Sequence, residues 1–206
     1  MGIEYLRNFE FGSAWTVIDQ LAPIILSNVM GSIIEIGMGN STLMLLKHAI
    51  KYNRFMMSCD RSDQIVNRIK NAIDKHDLNH KNHYIHQCTS TIFIENLKET
   101  LSKSWNHEHY TPAMIFIDGN HHYENTKIEV DYFLSILPQN AMMFLHDTFP
   151  LKYYYEAKMK RGGNKADSYK IRHYLESKDD LFTFTWPYTA SYCGLTMVMK
   201  KDPTRP

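Results

Sequence analysis

Short apolar runs alternate along most of the chain with longer stretches of helical periodicity. Five of these runs predict strands, at Ser32–Ile36, Arg54–Cys59, His83–Gln87, Ala113–Ile117 and Met142–Leu145. Between them apolar residues recur every three or four positions, which predicts amphipathic helices. Several runs are continuously apolar rather than alternating, as is typical of parallel strands covered on both faces. The pattern predicts an α/β fold, with a Rossmann-like, doubly wound and mostly parallel sheet.

The predicted helices occupy Phe9–Asn28, Ser41–Tyr52, Ser62–Lys75, Thr91–Ser104, Tyr123–Leu137 and Ser168–Ser177. Residues 1–29 are thus expected to form a helical N-terminal segment. After the fifth strand the rhythm changes, and residues 150–180 are expected to form a lid or substrate-binding insertion. Leu181–Trp186 and Leu195–Met199 then predict a C-terminal antiparallel hairpin at the sheet edge. With 206 residues and no central linker, one domain spanning 1–206 is expected.

The composition and charge of the chain argue against several classes of protein. A formal net charge of +1 lacks the basic excess expected of a nucleic-acid-binding protein. Cys59, Cys88 and Cys193 are too widely spaced for a disulfide framework or a zinc site, which favours a reducing compartment. No apolar stretch approaches the roughly 20 residues that a membrane helix needs. We therefore expect a cytoplasmic protein that acts on a small molecule, with neither nucleic acid nor membrane as partner, while a homo-oligomer stays open.

A turn containing two glycines follows the first predicted strand, in the segment Glu35-Ile36-Gly37-Met38-Gly39-Asn40-Ser41-Thr42. Gly37 and Gly39 would allow a tight turn and a close approach of the backbone to a ligand. Glu35 lies inside the apolar strand, where a buried carboxylate needs a partner. That partner is either the amino group of a cationic ligand or nearby backbone amides.

Asp60 and Thr42 indicate which kind of ligand the glycine turn would bind. Asp60 ends the second predicted strand, where a carboxylate can accept both hydroxyls of a ribose or can instead cap the next helix. Thr42 stands where a dinucleotide-binding fingerprint has its third glycine, which disfavours an NAD-type site. The turn therefore predicts a nucleoside-containing cofactor other than a dinucleotide.

Polar residues also end the fourth and fifth predicted strands. Asp118 follows Ala113–Ile117, and His146 and Asp147 follow Met142–Leu145. The carboxyl ends of parallel strands meet at one edge of a sheet, so these residues should lie near the glycine turn. Two carboxylates with one or two imidazoles could bind a divalent cation, act as a general base or do both. Helix caps and turns are the ordinary alternative for such residues.

The segments EIGMGNST, SCD and IFIDGNHHYE…FLHDT together resemble class I S-adenosylmethionine-dependent methyltransferases. Within that class they are similar to small-molecule O-methyltransferases of the macrocin and catechol types, over roughly residues 30–150. The resemblance implies that the glycine turn faces the methionine part of the cofactor and that the acid after the second strand holds its ribose. The residues that match the implied cofactor site are Glu35, Gly37, Gly39, Ser41, Asp60 and Asp118, with Cys88 and Thr89 at the adenine position, where such enzymes often have an acid.

The resemblance also implies a metal and a catalytic group. These relatives hold Mg²⁺ at three positions that here are Asp118, His146 and Asp147. The imidazole departs from the oxygen ligands that Mg²⁺ prefers, which leaves Mg²⁺, Mn²⁺, another ion that tolerates histidine, or no metal. His121 is the expected base because imidazole titrates near neutral pH, and Asp118 and His146 complete the predicted catalytic set.

The sequence therefore predicts an S-adenosylmethionine-dependent methyltransferase that modifies a hydroxyl of a small sugar or natural-product type of molecule. Two alternatives remain open at this point. One is a Rossmann-type oxidoreductase that binds a nucleotide. The other is a non-catalytic relative that binds a ligand.

Overall fold

The computed structural model describes residues 14–103, 111–149, 167–187 and 194–204. Its strands are β1 Ser32–Ile36, β2 Met56–Asp60, β3 His83–Gln87, β4 Pro112–Ile117, β5 Met142–His146, β6 Leu181–Trp186 and β7 Leu195–Lys200. Its helices are α1 Ala14–Asn28, α2 Asn40–Lys51, α3 Asp63–Lys75, α4 Ser90–Lys103, α5 Tyr123–Ile136 and α6 Lys170–Glu176. The predicted elements agree with these bounds to within a few residues. The predicted helical residues 9–13 and most of the expected lid, 150–166, lie outside the described residues.

The strands form one seven-stranded sheet with the order β3-β2-β1-β4-β5-β7-β6. Strands β1 to β5 are parallel, whereas β7 pairs antiparallel with both β5 and β6. The predicted fold class is confirmed, including the C-terminal hairpin. The hairpin joins the sheet through its second strand, so β6 forms the outer edge.

Helices cover both faces of the sheet. Adjacent residues of a strand point to opposite faces, so Ile33 packs into the core beneath α1, α2 and α3, and Ile34 packs into the core beneath α4, α5 and α6. Every residue of β1 and β4 is buried, whereas the edge strand β3 is partly exposed. At about 1.5–3 kcal/mol for each fully buried aliphatic side chain, these central strands form a rigid base for the polar residues that end them.

None of the helices in the described ranges is long and apolar enough to cross a membrane.

Candidate functional site

The two glycines of the turn after β1 have different surroundings. Gly37 has φ +86°, and a Cβ there would lie 2.1 Å from the backbone oxygen of Asp118. This glycine therefore allows the end of β1 to pack against the end of β4. Gly39 has extended backbone with φ −172°, and among the described residues a Cβ there would meet only Ser41 Oγ, at 3.9 Å. The open space above the turn thus lies at Gly39.

Thr42 occupies the position where a dinucleotide-binding fingerprint has a glycine, and its side chain has a structural role. Its hydroxyl oxygen accepts a hydrogen bond from the backbone N–H of Gly39, at 2.9 Å. The Thr42 side chain is fully buried at the start of α2. A glycine at position 42 would remove this hydrogen bond. The turn is therefore stabilised by a side-chain contact that a dinucleotide-binding turn with three glycines lacks.

Glu35 is fully buried in β1 beneath the turn. The Ser41 hydroxyl donates to its Oε1 at 2.7 Å, and Oε2 has no hydrogen-bond partner among the described residues. Burial raises the pKa of Glu35 to about 7, against the opposing effect of the Ser41, Ser58 and Thr42 hydroxyls. The protein partner of Glu35 is therefore a hydroxyl rather than backbone amides. An unsatisfied buried acceptor costs about 1–3 kcal/mol, so a cationic donor at this oxygen would be strongly favoured.

Asp60 connects the turn to the end of β2. Its Oδ2 accepts from the backbone N–H of Met38 at 3.0 Å, and its Oδ1 accepts from the backbone N–H of Ser62 at 2.7 Å. Helix α3 is capped by Ser62 instead, whose hydroxyl accepts from the N–H of Ile65 at 3.4 Å. Each carboxylate oxygen has two lone pairs, so Asp60 can hold the turn and still accept ribose hydroxyls.

Four titratable side chains converge where β4 and β5 end. His146 Nδ1 lies 3.0 Å from Asp118 Oδ1 and 3.4 Å from Asp147 Oδ1. His121 Nδ1 lies 2.9 Å from Asp147 Oδ2. The ligand atoms of Asp118, His121 and Asp147 all lie within 4.8 Å of one another, so this trio could hold a metal ion. The metal set that the resemblance implies, Asp118, His146 and Asp147, differs from this trio in its histidine, although His146 also lies beside both carboxylates.

Asp147 has an uncommon backbone conformation. Its φ is +58°, in the left-handed region that non-glycine residues rarely adopt, and it is only 9% exposed. Asp and Asn tolerate this conformation better than other residues, and such strained positions cluster at functional sites. This conformation sets the position of the Asp147 carboxylate between His121 and His146.

Residues distant in sequence hold the two histidines, and no motif identified them. The Trp15 ring stacks on His146 with centroids 5.2 Å apart and an interplanar angle of 28°. The backbone N–H groups of Asp167 and Ser168 donate to the carbonyl oxygen of His121 at 2.8 Å and 3.0 Å. Asp167 Oδ1 also accepts from the N–H of Tyr123 at 2.7 Å, where α5 begins. These contacts come from α1 and from the segment before α6.

Cys88 and Thr89 follow β3 as predicted. Cys88 is a half-buried free cysteine, and burial raises the pKa of its thiol. Thr89 is exposed, and its hydroxyl accepts from the N–H of Ile92 at 3.4 Å at the start of α4. Neither side chain offers a charged acceptor at this end of the sheet.

A family model described as a methyltransferase domain matches residues 34–148. Among solved structures, the chain is similar to an O-methyltransferase from Bacillus cereus in complex with S-adenosylhomocysteine, at 16% identity over 94% of this chain and 85% of that chain, with a TM-score of 0.65. It is also similar to TomG, an O-methyltransferase from Streptomyces achromogenes involved in tomaymycin synthesis, in complex with S-adenosylmethionine, at 14% identity over 91% and 80%, with a TM-score of 0.65. A putative caffeoyl-CoA O-methyltransferase from Staphylococcus aureus matches at 15% identity over 91% and 82%, with a TM-score of 0.63. No curated protein matches the sequence. At these identities the structural likeness establishes the fold.

Proposed function

This chain belongs to the methyltransferase domain family, and from that membership we propose that it is an S-adenosylmethionine-dependent O-methyltransferase of small hydroxylated molecules. The observation that carries the choice of a hydroxyl acceptor is the pairing of His121 Nδ1 with Asp147 Oδ2 at 2.9 Å. A histidine oriented in this way can take a proton from a hydroxyl. His121 belongs to the group of polar residues at the ends of β4 and β5. Gly37, in the turn after β1, packs directly on the backbone of Asp118 in that group.

The cofactor is proposed to lie along the edge of the sheet from Glu35 to Asp60. Glu35 Oε2 would accept a hydrogen bond from the cationic amino group of the methionine part, which would supply the partner that this buried oxygen lacks among the described residues. The space above Gly39 would admit the chain of that group next to the backbone. Asp60 would bind the ribose hydroxyls through its remaining lone pairs. Ser41 would act indirectly, because its hydroxyl is committed to orienting Glu35.

His121 is proposed as the general base. When bound, S-adenosylmethionine supplies an activated methyl group on a sulfonium, so the protein mainly aligns the acceptor and removes its proton. Asp147 accepts a hydrogen bond from the N–H at Nδ1 of His121, and this favours the tautomer in which Nε2 is the basic nitrogen. Nε2 would then take the hydroxyl proton as the acceptor oxygen bonds to the methyl carbon, and the carbon–sulfur bond would break to leave S-adenosylhomocysteine. Asp118 and His146 belong to the same hydrogen-bonded group and would position the acceptor.

A divalent cation at Asp118 and Asp147 is compatible with the same residues. The two carboxylates and His121 form the set whose ligand atoms lie within 4.8 Å of one another, and His146 lies beside them. An imidazole in the set favours Mn²⁺ over Mg²⁺, because Mg²⁺ strongly prefers oxygen ligands. A bound cation would lower the pKa of the acceptor hydroxyl, and His121 would then serve as a ligand rather than as the base.

The experiment that tests the proposal is isothermal titration calorimetry of the full chain with S-adenosylhomocysteine and, separately, with NAD⁺. Binding of the first ligand alone is expected. Glu35→Gln and Asp60→Asn should each weaken it, whereas Glu95→Gln, at an exposed glutamate of α4, should leave it unchanged. Binding of NAD⁺ alone would instead support a Rossmann-type oxidoreductase.

Binding of S-adenosylhomocysteine does not by itself establish turnover. Methyl transfer from labelled S-adenosylmethionine should therefore be measured against a panel of hydroxylated sugars, phenols and polyketide-like molecules. Transfer to at least one of them is expected. Tight cofactor binding without transfer to any hydroxyl, or with transfer to an amine instead, would contradict the proposed O-methylation.

A further inference from the structure

A cavity of about 180 Å³ lies between α4 and the face of the sheet that this helix covers, at the edge formed by β3. Tyr84 and His86 line it from β3, because residues two apart in a strand point to the same face. Met57 lines it from β2, where it lies beside Tyr84 in the parallel register. Phe93 and Leu97, one turn apart on α4, form the opposite side.

The walls of the cavity are largely aromatic. The rings of Phe55, directly before β2, and Tyr84 are parallel to within 3°, with centroids 6.1 Å apart. The ring of Phe93 meets that of His86 edge-on, with centroids 5.1 Å apart and an interplanar angle of 62°. Phe93 and Met57 are buried, whereas Tyr84 is 48% exposed. The cavity therefore runs from a buried apolar floor to an aromatic rim that solvent reaches, as is typical of a ligand site.

The hydrogen-bonding groups that line the cavity are few and uncharged. The Thr100 hydroxyl donates to the backbone carbonyl oxygen of Asn96 at 2.8 Å, so it is already engaged. Burial lowers the pKa of His86, and its neutral ring has one donor and one acceptor nitrogen. Among the described residues, no Asp, Glu, Lys or Arg lines the cavity. A charged ligand would lose its hydration here without gaining an opposite charge, so the cavity favours a neutral one.

The cavity is separate from the proposed cofactor site. It extends from the middle of β3 towards the amino ends of the strands, whereas the cofactor is proposed to lie at their carboxyl ends. Phe55 precedes β2 and Asp60 ends it, which places about 16 Å of extended chain between them. Leu97 and Thr100 lie in the second and third turns of α4, past its start at the carboxyl edge. A ligand in this cavity would thus have its own binding site, and the inference does not rest on the proposed function.

We propose that this cavity binds a small neutral molecule with a single aromatic ring and a hydroxyl group, of which phenol is the simplest example. The ring packs between Tyr84 and Phe93 with the Met57 thioether beneath it, where aromatic and sulfur contacts are favourable. The hydroxyl donates a hydrogen bond to the unprotonated ring nitrogen of His86. The size is suitable, because an apolar protein cavity of about 150 Å³ is known to bind benzene.

The test is a titration of the ¹⁵N-labelled full chain with phenol, followed by ¹H–¹⁵N correlation NMR. Concentrations up to about 10 mM are needed, since so small a ligand binds weakly even when every atom contributes. Saturable shifts are expected at the backbone amides of Tyr84, His86 and Leu97. Cyclohexanol, which has the hydroxyl without the aromatic ring, and benzoate, which has the ring with a charge, should each bind about fivefold more weakly or worse.

Three variants assign the binding to this cavity. Thr100→Trp places an indole in the cavity and should abolish the shifts. Glu95→Trp adds the same side chain at an exposed position of α4 outside the cavity lining, and it should keep the affinity. His86→Phe keeps an aromatic ring but removes the acceptor nitrogen. The affinity for phenol relative to toluene, which lacks the hydroxyl, should therefore fall by about threefold to tenfold in this variant.

Several results would overturn the inference. They are the absence of saturable shifts, shifts confined to the region of His121 where the acceptor is proposed to bind, and cyclohexanol or benzoate binding as tightly as phenol. Unchanged binding in Thr100→Trp would also place the ligand elsewhere. If that variant does not fold, the phenol-to-toluene ratio in His86→Phe decides, because an unchanged ratio contradicts the proposed hydrogen bond. None of these measurements requires S-adenosylhomocysteine, so their failure and the failure of the proposed function are distinguishable.

Discussion

Two alanine substitutions in the glycine turn should separate folding from cofactor binding. In Gly37→Ala the new Cβ would lie 2.1 Å from the Asp118 oxygen and 2.5 Å from its carbonyl carbon, on a backbone with φ +86°. The left-handed conformation costs about 1–2 kcal/mol in a residue with a Cβ, and overpacking costs about 1–3 kcal/mol. The expected destabilisation of about 2–5 kcal/mol is a large part of the 5–15 kcal/mol that typically stabilises a domain.

Gly39→Ala should have the opposite profile. In the described part of the chain, the nearest atom to its new Cβ would be Ser41 Oγ at 3.9 Å, and its φ of −172° suits any residue. The free energy of unfolding should therefore stay the same or increase by up to about 1 kcal/mol, because alanine restricts the unfolded chain. The added methyl group would instead occupy space proposed for the cofactor. A steric cost of about 1–3 kcal/mol corresponds to about 5-fold to 150-fold weaker binding.

Urea unfolding of both variants, combined with calorimetry using S-adenosylhomocysteine, measures both quantities. The expected result is a weakened fold in Gly37→Ala and a weakened ligand affinity in Gly39→Ala. Wild-type affinity in Gly39→Ala would show that the cofactor does not pass over this glycine. Wild-type stability in Gly37→Ala would show that the close packing of β1 against the Asp118 backbone does not restrict this position.

Further predictions concern the buried acid and the two histidines. Because burial raises the folded pKa of Glu35 from 4.5 to about 7, the folded chain binds more protons than the unfolded chain between these pH values, and stability should fall as pH rises through them. Glu35→Gln should remove about 3 kcal/mol of that fall, measured by urea unfolding on either side of the window; an unchanged slope would contradict the assigned pKa. His121→Ala should lower kcat for methyl transfer by about 10²–10⁴-fold. Asp147→Asn should also lower kcat, with little loss of stability, because asparagine tolerates the left-handed backbone. Full activity of either variant in EDTA would show that His121 and Asp147 do not act in catalysis. In calorimetry with Mn²⁺, the heat of binding should require Asp118 and fall more in His121→Ala than in His146→Ala, and the reverse order would make His146 the ligand.

Much of the fold was predictable because the central strands are covered on both faces. Ala113–Ile117 is apolar at every position, and Ser32–Ile36 is apolar except at Ser32 and Glu35, because helices pack on each side of both strands. The gathering of Asp118, His121 and Asp147 followed from one rule, that parallel strands end at the same edge of a sheet. Which Asp147 oxygen each histidine approaches, Oδ2 for His121 and Oδ1 for His146, depends on side-chain directions and on one left-handed backbone angle, which periodicity does not report.

The sequence by itself determined the order of the elements, the doubly wound class and the motifs at the strand ends, because hydrophobic periodicity states which face of each element is buried. Only the tertiary structure decided which distant side chains meet. It placed β7 between β5 and β6, and the Trp15 ring on His146. It also gave the two glycines of one turn separate surroundings, because the backbone of β4 approaches Gly37 and leaves Gly39 open. Such contacts join residues far apart along the chain, so no local pattern of the sequence encodes them.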